Sequence, residues 1–388
     1  MPTVTLHPGR EERLAGGHLW IYAGEIRSID GRAEPGDIVD VRAADRTFIG
    51  RGYINPRSTI AVRLLTRRKE AIDEGFFRRR LEEALALRRR MVAETTAFRL
   101  VYSEGDGLPG LIVDRYGDVL VLQTLTLGMA RHEPRVVRLL QELLQPAAVY
   151  GRNDASVRRL EGLPLWAGFL AGEVPTAPQI EESGLRFRVD IAAGQKTGFF
   201  LDQRENRLAV AGYARGDVLD AFCYTGGFAL HAARAGATVL GIDISPEAVA
   251  AATEHARLNE LADRCTFQAG NAFDVLRALA KEAPRFDVVI LDPPAFAPRK
   301  SAVAQAAAGY KEINLRALKV LRPAGILVSC SCSYHVSEEL LLALIAEAAQ
   351  DAHRRVRLLE ARTQARDHPI HPGMPETRYL KCLILEVT

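Results

Sequence analysis

The sequence predicts a multidomain α/β protein with an N-terminal β-barrel, a small central α+β domain and a C-terminal doubly wound sheet. Three patterns support this class. Short strands with Gly and Pro turns dominate residues 1–68, strands and helices mix over 69–180, and strands alternate regularly with helices over 181–388. At 388 residues the chain is long enough to bury more than one core.

The first 68 residues have the pattern of a small barrel. Apolar residues recur in HLWIYAGEI, IVDVRAAD, FIGRGYI and TIAVRLL, and turn segments such as AEPGD separate these strands. From Glu70 to about Thr95 the spacing changes to that of an amphipathic helix. Two arginine triplets, 78–80 and 88–90, lie on this helix, and a solvated helix face is their ordinary explanation.

Composition excludes several classes of protein. The five cysteines include no C-x-x-C pair, so neither a disulfide framework nor a zinc site is indicated, and a reducing cytoplasm is expected. No run of about 18 apolar residues occurs and the N-terminus lacks a signal-peptide core, so we expect neither a membrane span nor secretion. The net charge of +3 is too small to identify a nucleic-acid partner by itself.

The loops that follow the sheet strands should carry the chemistry, because open α/β sheets bind ligands beyond the carboxyl ends of their strands. The first loop runs from Asp220 through Tyr224 to Gly226 and Gly227, two glycines that allow a tight turn against a ligand. Asp243 follows about 20 residues later, where such folds bind a ribose diol. This spacing indicates a cofactor that contains adenosine.

Two further strand ends carry candidate ligand groups. Asn271, followed by Ala272 and Phe273, offers an amide for the adenine edge and a ring for its face, although a helix N-cap and a core Phe are the alternative. The fourth strand ends in the motif DPPAF, residues 292–296, where two prolines form a rigid lip beside Asp292. Prolines also end strands in turns of purely structural value.

Together these motifs resemble the class I S-adenosylmethionine methyltransferases, and among them the large-subunit ribosomal RNA cytosine-5 methyltransferase I type. Segment 193–207, AGQKTGFFLDQRENR, is similar to a stretch that precedes the first sheet strand in that family. The resemblance covers nearly the whole chain. It implies a PUA-like RNA-binding barrel at 1–68, a central α+β domain at 69–180 and a Rossmann-like, seven-stranded methyltransferase domain at 181–388.

The resemblance also implies the ligands. S-adenosyl-L-methionine is the expected cofactor, and RNA is the expected partner, either 23S rRNA or a large-subunit assembly intermediate. A cytoplasmic enzyme without a membrane partner is expected, while the oligomeric state stays open, with a homodimer as one candidate. Arg51, Arg57 and Arg63 are the barrel residues that we expect to contact RNA phosphates.

The fifth strand supplies the nucleophile that this reaction requires. Carbon 5 of cytosine has no lone pair, so a nucleophile must first add at carbon 6. Related enzymes use the Cys of a Thr/Ser-Cys-Ser triplet, which matches Ser331-Cys332-Ser333. Cys330 would share a face with Cys332 in a regular strand, and we expect it to be a small buried residue. Ala295 stands where the broader RNA cytosine-5 group has a second Cys, so the base that removes the carbon 5 proton stays unidentified.

Residues and resemblance together define a predicted site without a metal. The predicted catalytic residues are Cys332 and Asp292. The predicted cofactor-binding residues are Phe200, Asp220, Tyr224, Gly226, Gly227, Asp243, Ile244, Asn271, Ala272 and Asp292. The predicted substrate-binding residues are Lys196, Pro293 and Phe296, although an exposed salt bridge is an alternative explanation of Lys196.

Three other functions account for part of the sequence. An amino-methyltransferase on adenine or guanine would use the DPP motif, but such enzymes have an aromatic residue where Ala295 stands. A dinucleotide-dependent dehydrogenase would explain Asp243 but neither DPPAF nor segment 195–207. A non-catalytic RNA-binding protein would need only the barrel and the arginine triplets.

Overall fold

The computed structural model describes residues 1–282, 285–296 and 302–388. These residues form two compact units. The first unit comprises 1–183, 189–201 and 366–377, and the second comprises 184–188, 202–365 and 378–388. The chain therefore enters each unit more than once. The predicted division of the chain into three domains stays a prediction.

The N-terminal part of the first unit is a six-stranded sheet in the order β2-β6-β5-β4-β1-β3. Its elements are β1 (Thr3–Leu6), α1 (Glu11–Ala15), β2 (Trp20–Tyr22), β3 (Ile26–Asp30), β4 (Ile38–Arg42), β5 (Phe48–Ile54) and β6 (Ile60–Thr66). Apolar side chains alternate along these strands and form one core, as in Val39 and Val41 of β4. Strand β1 and helix α1 were absent from the sequence prediction.

Two of the three arginines predicted to contact RNA form ion pairs within the first unit. The guanidinium of Arg63 is almost buried and forms an ion pair with Glu161 at 3.0 Å. Arg51 donates to Asp40 at 2.8 Å and is only 14% exposed. Both charges are paired inside the first unit, which makes Arg51 and Arg63 poor candidates for phosphate contacts, and their predicted contact with RNA stays a prediction. Arg57 is exposed.

The rest of the first unit packs helices on a five-stranded sheet in the order β11-β10-β9-β8-β7. Its elements are α2 (Glu74–Met91), β7 (Ala97–Tyr102), β8 (Leu111–Tyr116), β9 (Val119–Thr124), α3 (Leu127–Leu144), β10 (Ala148–Asn153), α4 (Val157–Leu160), β11 (Trp166–Ala171) and β12 (Gln179–Glu182). Helix α2 begins four residues later than predicted, because Asp73 caps it by accepting a hydrogen bond from the Phe76 amide at 3.0 Å.

The second unit contains the predicted seven-stranded sheet, in the order β16-β15-β14-β17-β18-β20-β19. Its elements are β13 (Leu185–Arg188), α5 (Arg204–Ala211), β14 (Asp217–Asp220), α6 (Gly227–Arg234), β15 (Thr238–Asp243), α7 (Pro246–Leu258), β16 (Cys265–Ala269), α8 (Ala272–Leu279), β17 (Phe286–Leu291), α9 (Val303–Val320), β18 (Leu321–Ser331), α10 (Glu338–Asp351), β19 (Val356–Arg362) and β20 (Lys381–Val387). The Rossmann-like fold class is confirmed.

The direction of winding reverses between β14 and β17. Strands β14 to β16 run outward on one side, and β17 and β18 continue on the other, all as parallel pairs. Only β20 runs antiparallel to both of its neighbours in this sheet. Helix α6 packs on one face of the sheet, and α9 and α10 pack on the other. The reversal opens a crevice at the carboxyl ends of β14 and β17.

No helix within the described ranges combines the length and the apolarity that crossing a bilayer requires.

Candidate active site

Asp243, the last residue of β15, holds the glycine-rich loop in place. Its Oδ2 accepts a hydrogen bond from the Tyr224 amide at 2.9 Å, and its Oδ1 accepts one from the Ser245 amide at 3.0 Å. Since a carboxylate can accept about four hydrogen bonds, both oxygens keep capacity for a ribose diol. Asp243 therefore orders the loop and can still bind a ligand.

Gly226 gives the loop its shape. It adopts φ 87°, a left-handed conformation, and immediately precedes α6. A Cβ at this position would lie only 3.2 Å from the Ala252 side chain. Tyr224 also has a positive φ, of 46°. The backbone thus turns tightly where the sequence predicted it, ahead of Gly227, the first residue of α6.

Asp220 is fully buried at the end of β14, close to two other carboxylates. Its Oδ2 accepts a hydrogen bond from the Ala229 amide at 3.1 Å, whereas its Oδ1 has no hydrogen-bond partner in the described part of the chain. Burial raises the pKa of Asp220 to about 8, and the nearby carboxylates of Asp292 and Asp243 add to the rise. Three acidic groups therefore converge at the reversal of winding.

This acidic cluster suits a cationic ligand. S-adenosylmethionine carries a positive sulfonium and an ammonium group, both of which would offset the negative charge around Asp220. Ile244, next to Asp243, is 74% exposed. The face of a purine ring could pack against it.

Asn271 acts first as a helix cap. Its side-chain oxygen accepts a hydrogen bond from the Phe273 amide at 2.9 Å at the start of α8, which is the structural alternative considered from the sequence. The cap does not use the side-chain nitrogen. Ala272 is buried and Phe273 is partly buried. The predicted adenine contact of Asn271 and Ala272 stays a prediction.

The DPPAF segment follows β17 directly. Asp292 is partly buried, Pro293 is buried, and Pro294 and Ala295 are exposed. The ring of Phe296 packs at 4.8 Å from that of Tyr310 in α9 and at 5.8 Å from that of Phe273. The prolines thus present a short rigid edge, while Phe296 is anchored by other aromatic rings.

Cys332 lies just beyond the end of β18, at the carboxyl edge of the sheet. Both serines beside it contact the hydroxyl of Tyr310: Ser331 donates to it at 2.9 Å, and Ser333 lies 3.2 Å from it. Cys332 itself is half-buried. Tyr310 therefore fixes the Ser-Cys-Ser triplet from α9 while the central thiol keeps some exposure. Nothing in the spacing of the sequence singled out Tyr310.

Cys330 is unsuited to nucleophilic attack. It is completely buried in β18, opposite Cys382 of β20. A hydrogen bond to the Cys382 thiol, together with burial, raises the pKa of Cys330 far above its usual range. Since the thiolate is the nucleophilic form, Cys330 is a packing residue. This agrees with the expectation that it is a small buried side chain.

Lys381, at the start of β20, is a charged residue that the sequence analysis missed. Its Nζ donates to the carbonyl oxygens of Ser333 at 2.7 Å and Tyr379 at 2.8 Å. Burial lowers the pKa of Lys381 to about 8, and the nearby Cys332 acts in the opposite direction. A cation thus lies beside the candidate nucleophile. A Lys in an apolar final strand was the available signal.

Lys196 and Phe200 belong to the first unit. The ammonium of Lys196 lies 4.6 Å from the centre of the Phe200 ring, a cation–π contact. Between them, Thr197 is buried and donates to Asp114 at 2.6 Å, and its hydroxyl is 2.9 Å from that of Tyr116. This network orders the segment around residue 197. The predicted ligand contacts of Lys196 and Phe200 stay predictions.

Comparison with protein families gives two matches. A PUA-like domain model matches residues 4–67, and an S-adenosylmethionine-dependent methyltransferase model matches residues 120–378. Known relatives span the chain. It is 42% identical over 392 residues to a Ribosomal RNA large subunit methyltransferase I of Shewanella denitrificans, and 40% identical over 390 residues to one of Pseudoalteromonas atlantica. Each alignment covers 99% of this chain and 99% of the relative.

Solved structures share the fold. A Streptococcus mutans protein assigned as a SAM-dependent methyltransferase superposes over 100% of both chains, with a TM-score of 0.84 and 19% identity. Trm5b from Pyrococcus abyssi has a TM-score of 0.54 and 19% identity, and it covers 71% of this chain and 74% of its own. At such identities these structures show the architecture alone.

Proposed function

Because the chain belongs to the S-adenosylmethionine-dependent methyltransferases, and within them to the Ribosomal RNA large subunit methyltransferase I family, we propose that it methylates carbon 5 of a cytosine in large-subunit rRNA. The substrate is 23S rRNA, either free or in an assembly intermediate. An rRNA substrate is consistent with a cytoplasmic enzyme. The PUA-like match at residues 4–67 supports RNA as the partner.

One observation carries the proposal: a half-buried thiol in a fixed triplet at the reactive edge of the sheet. Leu291 of β17 pairs with Ser329 of β18, so Asp292 and Cys332 follow the ends of adjacent parallel strands. Adjacent strands lie about 5 Å apart. A cytosine held at this edge can therefore meet a nucleophile and a carboxylate together.

Each residue has a defined part in the proposed reaction. Asp292 binds the polar edge of a cytosine that has been extruded from its stack. The Cys332 thiolate adds to carbon 6, which makes carbon 5 electron-rich enough to take up a methyl group. Removal of the carbon 5 proton restores the double bond between carbons 5 and 6 and expels the Cys332 thiolate. The group that takes this proton stays unassigned.

The cofactor supplies the methyl group from its sulfonium centre. We propose that Asp243 binds the ribose diol and that Ile244, Asn271 and Ala272 surround the adenine. Asp220, whose Oδ1 has no hydrogen-bond partner in the described chain, offers a hydrogen-bonding group to the cationic end of the cofactor. Tyr224, Gly226 and Gly227 shape the backbone around it.

Lys381 is proposed as a positioning residue for the nucleophile. Its ammonium group favours the charged form of Cys332 by simple attraction, and thiolate character controls the reactivity of a cysteine. The two carbonyl oxygens that it binds, of Ser333 and Tyr379, hold the ammonium beside the triplet. Both forms of Lys381 are populated near pH 8, where its pKa lies.

The test uses RNA that contains 5-fluorocytosine, which lacks a removable proton and should trap the enzyme as a covalent RNA adduct. Wild-type protein and Cys330→Ala should both form the adduct, whereas Cys332→Ala should bind cofactor and RNA but form none. An adduct with Cys332→Ala that disappears in Cys330→Ala would reverse the assignment. Methylation at an exocyclic nitrogen without an adduct would instead support an amino-methyltransferase.

A further inference from the structure

The first unit contains a cavity of about 590 Å³ that the proposed reaction does not use. It lies where the end of β6, the following segment, α2 and the turn at 105–107 meet. Its volume falls within the range of roughly 300 to 1,000 Å³ that is typical of small-ligand sites. From the sequence, a solvated helix face was the ordinary explanation of the arginine triplets of α2. In the structure, Arg79, Arg80 and Arg90 of these triplets line the cavity.

Five arginines line this cavity: Arg67, Arg68, Arg79, Arg80 and Arg90. The carboxylates in the same wall are already neutralised. Glu70 accepts a hydrogen bond from Arg79 at 2.7 Å, and Glu83 accepts one from Arg80 at 3.1 Å. Asp106 is held by Arg88, which lies behind the wall and is fully buried. The wall therefore has an excess of positive charge.

Three of the arginines carry this excess. Within the described ranges, the side chains of Arg67, Arg68 and Arg90 form no ion pair, in contrast to Arg79 and Arg80. All three side chains are exposed, and the Arg67 guanidinium donates to the His18 carbonyl at 3.4 Å. An anion that enters the cavity would supply a counter-charge to these arginines.

Part of the cavity wall is apolar. Leu19 and Leu87 are partly exposed in it, whereas Phe76 and Leu65 are almost completely buried beneath it. The guanidinium of Arg80 lies 5.4 Å from the centre of the Phe76 ring. The cavity thus combines the partly exposed side chains of Leu19 and Leu87 with planar guanidinium groups, which can stack on a base and bind phosphate oxygens in pairs.

We propose that this cavity binds single-stranded RNA by receiving one unstacked nucleotide together with its flanking phosphates. The base packs against the Arg80 guanidinium and the side chains of Leu19 and Leu87, and Arg67, Arg68 and Arg90 contact the phosphates. The proposal rests on the proposed function, since RNA is the substrate there. It places RNA binding at the end of the barrel and on α2, and not at Arg51 or Arg63, whose charges are paired inside the unit.

The experiment compares two triple variants that lose the same number of positive charges. The cavity variant is Arg67→Gln, Arg68→Gln and Arg90→Gln. The control variant is Arg78→Gln, Arg89→Gln and Arg138→Gln, which removes three arginines of α2 and α3 outside the cavity. Thermal melting verifies that both full-length variants fold. The probe is a short fluorescent single-stranded RNA, titrated at several salt concentrations.

The cavity variant should bind this RNA at least about tenfold more weakly than wild type, and its salt slope should fall by about 2, as expected for three lost phosphate contacts at about 0.7 each. The control variant should stay close to wild type. An equal loss in both variants, or none in either, would overturn the proposal. Displacement of the RNA by free AMP at matching affinity would also overturn it, in favour of a small nucleotide site.

Crosslinking provides a second measurement that does not depend on affinity. RNA that carries 4-thiouridine should crosslink to a wild-type peptide within residues 65–90, and the cavity variant should lose this crosslink. These measurements distinguish failure of the cavity proposal from failure of the proposed function. If wild-type protein forms 5-methylcytosine and the cavity variant binds RNA as tightly as wild type, only the cavity proposal is rejected. Crosslinking at the cavity without any 5-methylcytosine rejects only the proposed function.

Discussion

At the scale of single residues, burial decides which protonation states the candidate site can use. Asp220 is fully buried beside two other carboxylates, and its pKa rises to about 8. Lys381 is buried beside Cys332, and its pKa falls to about 8. Both groups therefore titrate near physiological pH although neither residue type normally does. The protonation states of Asp220 and Lys381 therefore change with pH close to neutrality.

Asp220 should make the stability of the free protein fall as pH rises from about 4 to 8. In this window the folded protein retains a proton that the unfolded chain releases, since the ordinary pKa of the group is 3.8. Each pH unit should cost up to about 1.4 kcal/mol. Asp220→Asn should remove this component, which denaturant unfolding at pH 5 and pH 8 can measure. Parallel stability profiles for the two proteins would show that Asp220 is ionised in the fold.

Asp243→Ala should weaken S-adenosylmethionine binding by about 1 to 3 kcal/mol, because hydrogen-bonding groups of the ligand lose their partner. The same change frees the Tyr224 and Ser245 amides, so the melting temperature should fall as well. Asp243→Asn keeps one of the two acceptor oxygens, so its losses of affinity and melting temperature should be smaller than those of Asp243→Ala. Calorimetry that gives the wild-type affinity for Asp243→Ala would remove Asp243 from the cofactor site.

Lys381→Met should slow the formation of the 5-fluorocytosine adduct at pH 7 by at least about tenfold, the effect of raising a thiol pKa by one unit. A higher pH should restore the rate, since hydroxide then generates the thiolate. Lys381→Arg should retain much of the wild-type rate. A pH profile identical to that of wild type would leave Lys381 with a purely structural role in holding the Ser333 and Tyr379 carbonyls.

At the scale of elements, the ends of strands and the starts of helices determine the site. Strand β18 stops at Ser331, so Cys330 stays in the sheet while Cys332 lies beyond it. Helix α9 then fixes the triplet through the Tyr310 hydroxyl. Helix α6 begins directly after the left-handed Gly226. Cys330 and Cys332 thus differ in burial and reactivity because the strand ends between them.

Gly226→Ala should lower both stability and cofactor affinity. A Cβ at φ 87° costs about 1 to 2 kcal/mol, and it would also press on Ala252 at 3.2 Å. Gly236 is a suitable control, because it adopts φ 104° at the other end of α6, and a Cβ added there would meet nothing within 4 Å. Gly236→Ala should cost similar stability but leave S-adenosylmethionine affinity unchanged. Equal S-adenosylmethionine affinity in Gly226→Ala and Gly236→Ala would show that Gly226 does not contribute to the cofactor site.

At the scale of the whole molecule, the chain returns to its first unit after completing most of the second. Residues 366–377 belong to the first unit. Within that unit the buried Arg88 donates to the Asp367 carbonyl at 2.7 Å, and Tyr102 donates to the Thr377 carbonyl at 2.9 Å. The first unit is therefore incomplete when the chain is cut before this segment.

A fragment of residues 1–201 should consequently melt at a lower temperature than expected for the complete unit, since buried donors such as Arg88 lose their acceptors. A synthetic peptide of residues 366–377 should raise the melting temperature in a concentration-dependent way. A peptide of the same composition in scrambled order is the control. Equal melting with both peptides would mean that the segment adds no stability to the first unit.

The sequence by itself determined the fold class and the glycine-rich loop, because these depend on local periodicity and on short spacings along the chain, and resemblance to related enzymes identified the Ser-Cys-Ser triplet. Tertiary structure alone decided which arginines are paired and that Tyr310 and Lys381 meet the triplet. Lys381 lies 49 positions after Cys332 in the sequence. Contacts across such distances depend on how strands are ordered in a sheet, and burial, which sets the pKa values, exists only once the chain is packed.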